Sequence, residues 1–240
     1  MTLQGSAWWL VLVVALAGCS AGIGGSKAGD LRIPTGQALS GCINTVDNKY
    51  SVMVPQTLIA LGGTPFSGYT WTLSSRSAFP AGTTVAALTG VFNATNGSAL
   101  HKAGTQSFDM TVSDGSTTAT GTFTLRVSTT SPSNSASPGC PTAVLQQRLD
   151  IATNVLPDAK TGAGYGASLF VMGGEPPYAW SRATGDLPPG LTMGPTDGVV
   201  RGTPLSSAAG HTYSFTVKVT DAAGDIAACS PCPTQMITVK

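Results

Sequence analysis

Cysteines, histidines and acids are the residues in this 240-residue chain that could make bonds or hold metals, and they are few. Cys229-Ser230-Pro231-Cys232 has the spacing of a dithiol redox centre. Such a centre sets its first cysteine at a helix N-terminus, whose field lowers the thiol pKa, and no helix-forming run follows. Zinc needs a full tetrahedral ligand set, and no further Cys or His stands at finger spacing from this pair. His101 and His211 occupy non-equivalent positions in polar surroundings and read as solvated loop residues. Asp221 and Asp225 flank a turn, but calcium takes about six to eight oxygens with several carboxylates, and no other acid is local. Asp114 and Asp221 read instead as Asx-type residues closing hairpins. No G-x-S-x-G elbow, phosphate loop or H-E-x-x-H motif occurs. The reading is therefore no catalytic residue, no cofactor and no metal.

The elements that carry these residues are written twice, about 108 positions apart. The first copy runs Gly62-Gly63-Thr64-Pro65, Tyr69-Thr70-Trp71, Pro80-Ala81-Gly82, Gly90-Val91 and Phe108 to Asp114. The second runs Gly173-Gly174-Glu175-Pro176, Tyr178-Ala179-Trp180, Pro189-Gly190-Leu191, Gly198-Val199 and Phe215 to Asp221. A period this long duplicates a whole domain, not a solenoid unit. In the second copy Thr212 to Thr220 alternates, placing Tyr213, Phe215, Val217 and Val219 on one face. Gly166 to Met172, Pro177 to Arg182, the segment from Gly198 and Met236 to Val239 supply further strands. The first copy offers Ser51 to Leu61, Tyr69 to Leu73, Thr83 to Ala87, Phe108 to Ser113 and Thr118 to Val127, and departs by an insertion at Phe66-Ser67-Gly68. Turn signals between short alternating strands predict an all-β chain of two antiparallel sandwiches. Trp71 and Trp180 are the expected core residues.

Composition agrees. Thirty Gly and sixteen Pro with abundant Thr, Ser and Val favour strands and turns over helices. A net charge of +1 with 10% charged residues and no basic run excludes nucleic acid as a partner, since counterion displacement needs clustered Lys and Arg.

Ala7 to Ala17 is an apolar run too short to span a bilayer but suited to an export signal, although Met1 to Leu10 carry no Lys or Arg. It ends in Leu16-Ala17-Gly18-Cys19, which resembles the lipobox of bacterial lipoproteins. That resemblance implies removal of residues 1–18, acylation of Cys19 and a partner in the membrane itself. Ser20 after the cysteine is similar to outer-membrane sorting signals. Residues 19–41 are expected to be the lipidated cysteine and a flexible tether, 42–128 a first domain, 129–139 a Ser/Pro linker and 140–240 a second domain.

The order G-G-x-P-x-Y-x-W, L-P-P-G-L-T, G-V-V-R-G-T-P and Y-S-F-T-V-K-V-T-D resembles the immunoglobulin-like repeat of bacterial surface proteins, related in architecture to cadherin modules. The resemblance covers nearly all of the second copy, while the first is diverged. It implies immunoglobulin-like sandwiches that bind or space. With Cys19 lipidated, Cys42, Cys140, Cys229 and Cys232 remain in an oxidising compartment, where disulfides are the default. Pairing in related repeats implies Cys140 with Cys229 or else with Cys232, leaving Cys42 for the remaining cysteine.

The function expected is a lipid-anchored envelope protein that binds a protein or glycan at the cell surface, or spaces one. The alternatives are a structural subunit of a larger surface assembly, through strand addition, and an accessory fragment of an enzyme.

Overall fold

The computed structural model describes residues 29–44, 55–75, 77–79, 82–94, 104–130, 149–152, 156–227 and 234–240. Among them the first half carries β1 (Ala38–Asn44), β2 (Gln56–Thr57), β3 (Thr70–Leu73), β4 (Thr83–Val85), β5 (Val91–Ala94), β6 (Gly104–Ser113) and β7 (Thr118–Thr130). The second half carries β8 (Asp150–Ala152), β9 (Tyr165–Ser168), β10 (Phe170–Met172), β11 (Ala179–Gly185), β12 (Leu191–Met193), β13 (Val199–Gly202), β14 (Thr212–Thr220), β15 (Ile226–Ala227) and β16 (Gln235–Thr238). A 3-10 turn at Ser206–Ala208 is the one helical element among the described residues. The chain is all-β, built as immunoglobulin-like sandwiches.

In each half a hairpin forms one face. β6 and β7 pair from Gly104 opposite Val127 to Ser113 opposite Thr118, and alternation sends Phe108, Met110, Val112, Phe123 and Leu125 inward, all buried. Phe108 stacks on Phe92 of the facing sheet at 5.3 Å and on Phe123 at 5.8 Å. In the second half Phe215, Val217 and Val219 of β14 do the same work.

Two features depart from the sequence reading. β1 begins at Ala38, so residues read as tether already belong to the sandwich, and Arg32 exchanges backbone hydrogen bonds with Leu61 at 2.8 and 3.0 Å. β1 also runs parallel to β7, and Ala159 bridges Val239 in parallel, whereas the remaining pairings between named strands are antiparallel. Ala38 to Asn44 shows no alternation of its own; the open edge of β7 decides that it pairs. β7 runs on to Thr130, into the stretch read as linker, and the rest of that stretch lies outside the described residues. β5 carries little strand signal by itself and is fixed by β2 and β4 on either side.

The halves are joined through their sheets. One sheet has the order β4-β5-β2-β10-β8, crossing from first half to second. Gln56 lies opposite Met172, and Leu61 opposite Ala167. Aligning the two Gly-Gly turns makes Gln56 the counterpart of Ala167 and Leu61 the counterpart of Met172, so the pairing maps onto itself when the halves are interchanged. The hydrogen bonds obey the same symmetry. Gly62 N–H donates to Gly166 O at 2.6 Å and its counterpart Gly173 N–H to Pro55 O at 3.0 Å. Ala60 N–H donates to the Ser168 hydroxyl at 3.3 Å, and Val171 N–H to the Thr57 hydroxyl at 3.0 Å. The cores interlock as well: Val91 of the first half is buried in the second core, and Val199 of the second half in the first.

Candidate functional site

Each half is closed at one end by its Gly-Gly turn and the aspartate of its hairpin. Asp114 Oδ1 accepts from Ser116 N–H, Thr117 N–H and the Ser116 hydroxyl at 2.9, 2.7 and 3.0 Å. Its Oδ2 accepts from Thr64 N–H at 2.8 Å. Burial alone would favour the neutral acid, but the backbone donors of Thr117, Thr64 and Ser116 outweigh it and hold the carboxyl well below the usual carboxylate range. Asp221 repeats the clamp, accepting from Glu175 N–H and Asp225 N–H, both at 2.8 Å. These carboxylates do more than close a hairpin: each ties its hairpin to the distant Gly-Gly turn. Their oxygens face N–H donors, which is the wrong polarity for a cation. Among the described residues no group of three or more His, Cys, Asp or Glu side chains converges.

The tyrosine of each motif is committed similarly. Tyr69 O–H donates to Gly62 O at 2.6 Å, and Tyr178 O–H to Gly173 O at 2.7 Å. Burial pushes both phenols above their ordinary range, so they remain donors. Trp71 and Trp180 lie in the cores at 3% and 4% exposure. Their partners are the glycines of the Gly-Val pairs. At Gly90 and Gly198 φ is +65° and +62°, and a Cβ there would stand 2.7 Å from Trp71 Nε1 and 2.5 Å from Trp180 Cε2. Thus the motif residues in common to both copies are scaffold.

The joint itself offers a concave feature. A cavity of about 330 Å³ opens where the halves meet, lined by Arg32 and Gly62 from the first and Asp158, Lys160, Tyr165 and Lys240 from the second. It lies at the small end of the roughly 300–1,000 Å³ range of ligand sites. Lys240 Nζ contacts Asp158 Oδ2 at 2.6 Å across an exposed pair, which contributes about 0–1 kcal/mol. Three bases against one acid suit an anionic group. Beside it, the insertion at Phe66-Ser67-Gly68 turns back on itself, Gly68 N–H donating to Pro65 O at 3.1 Å. It lies against the Asp197–Arg201 pair of the second half, which is closed at 2.6 Å. Phe66 is left 83% exposed.

Sequence reasoning did not find this joint. A signal was present: Thr57 and Ser168 are hydroxyls heading matched apolar runs into Gly-Gly, TLIALGG and SLFVMGG. Of the residues singled out for bonds, Cys19, Cys140, Cys229, Cys232 and His101 lie outside the described residues. Cys42 sits in β1 with its backbone opposite Ser128. His211 is exposed, its ring edge-on to Tyr213 at 6.4 Å.

Residues 134–230 match the family model described as "Putative Ig domain". No curated protein matches the chain. Among solved structures it is similar to the endo-fucoidan hydrolase MfFcnA4 from glycoside hydrolase family 107, at 18% identity over 90% of this chain and 30% of that one, with a TM-score of 0.31. It is also similar to Drosophila N-cadherin EC1-3, at 14% identity over 88% of this chain and 67% of that one, TM-score 0.31. Protocadherin Gamma B7 domains 1-4 match at 13% identity over 88% and 50%, again at 0.31. The chain spans about 30% of the length of the fucoidan hydrolases it matches.

Proposed function

We propose that this chain is a non-catalytic module of the bacterial envelope, moored to the outer membrane by a lipid on Cys19, that binds or spaces through its immunoglobulin-like sandwiches. The lateral joint supports this reading best. A sheet continuous from β4 to β8, with each core completed by a valine of the other half, makes the halves one stiff body suited to presenting a surface. The tyrosine hydroxyls and aspartate carboxylates shared by the two motifs are bonded within that body. The basic crevice at the joint is the place for a partner's anionic group.

Metabolic labelling with an alkyne fatty acid tests the anchor. The native chain should take up label and sediment with outer membranes, and Cys19→Ser should do neither. An unlabelled, freely soluble native chain would refute the reading. Crosslinking in intact cells then separates the two roles, a stoichiometric adduct at the crevice marking a binder and none a spacer.

A further inference from the structure

The joint has the symmetry of a dimer interface inside a single chain. We propose that it is an interaction surface for a second copy of this chain: two chains exchange halves, segment 55–62 of one pairing with segment 166–173 of the other. An isologous contact is self-complementary by construction, and here the cross-strand pairs, the backbone bonds and the hydroxyl bonds at Thr57 and Ser168 each occur as symmetry-related twins. None of these contacts depends on which chain supplies the opposite half. The same holds for Val91 and Val199, which fill the opposite core from whichever chain is adjacent.

Opening the joint leaves a costly surface. The N–H groups of Gly62, Gly173, Ala60 and Val171 lose their acceptors across the joint, and two strand edges become templates for pairing. The chain between Thr130 and Leu149 can extend to roughly 60 Å, enough for an opened half to meet the complementary half of a neighbour. The closed monomer and the exchanged dimer then contain the same joints and differ by the effective concentration that the connection imposes, on the order of millimolar. Exchange is therefore governed by chain concentration, not by new contacts.

Full chains carrying Leu61→Cys and Ala167→Cys provide the test. These residues are directly opposed across the joint, where antiparallel Cα atoms stand about 4.5–5.5 Å apart, within disulfide range. Light and 15N-labelled chains are unfolded together, refolded at a series of concentrations and oxidised, and the peptides holding positions 61 and 167 are read by mass spectrometry. Pairs joining one light and one heavy peptide arise by exchange alone. Their ratio to the same-isotope pairs arising within single chains should rise about tenfold for each tenfold rise in concentration while monomer predominates. Same-isotope pairs alone up to millimolar chain would overturn the proposal, and so would a folded protein forming no 61–167 disulfide. If this variant does not fold, Gln56→Cys with Met172→Cys reads the symmetry-related pair, under the same outcomes.

Discussion

A single methyl group at Gly166 should unlock the two halves. Gly166 pairs with Arg201 inside the second half, yet a Cβ built on it meets atoms of the first half: Tyr69 Oη at 2.3 Å, Gly62 O at 2.6 Å and Pro65 Cδ at 2.7 Å. Two of the three are held tightly, because Tyr69 O–H is bonded to that same Gly62 carbonyl, so neither can yield alone. Overpacking of this kind costs about 1–3 kcal/mol, and loss of the tyrosine bond adds about 1 kcal/mol. Gly166→Ala should therefore destabilise the joint by roughly 2–4 kcal/mol, lowering the melting temperature by about 4–16 °C at this chain length. Calorimetry is the discriminating assay. The native chain, with interlocked cores, should melt in one cooperative transition, and the variant in two. A variant that melts as one unit within a degree or two of the native protein would show that the halves do not depend on this contact.

Gly198→Ala forces a Cβ onto the Trp180 ring at φ +62°, combining backbone strain of about 1–2 kcal/mol with overpacking of about 1–3 kcal/mol. Gly210→Ala, at φ +75° in open space, should cost the backbone part alone, and urea unfolding of the two variants reads the difference. Trp180→Ala should cost about 3–5 kcal/mol, seen as a fall in the urea midpoint. Asp114 has a depressed folded-state pKa, so its ionised form stabilises the protein above the unfolded value of about 4 and that contribution fades as pH falls below it. Asp114→Asn should thus be less stable than the native chain at pH 7, with a gap that narrows below about pH 4; a constant gap would place the clamp's strength elsewhere.

Much of each sandwich is legible in the sequence. Phe215, Val217 and Val219 announce β14 by strict alternation, and the two Gly-Gly turns mark where strands must end, because period-two burial and turn chemistry are local. β1 and β5 were not legible, since both are strands by virtue of the edges beside them. The aspartates show the boundary well. Asp114 and Asp221 read as turn residues from their own neighbours, but their Oδ2 atoms reach Thr64 and Glu175, some fifty positions away, a distance that no local pattern reports.

The all-β class and the buried tryptophans follow from the order of residue types, because each rests on how a short segment partitions between water and core. The way the copies meet does not. It required two strand edges, each half-satisfied within its own sandwich, to find one another across more than a hundred residues. Which hydrogen-bonding edges stay open, and which glycines leave room for a foreign backbone, are settled when the sheets have been assembled in space.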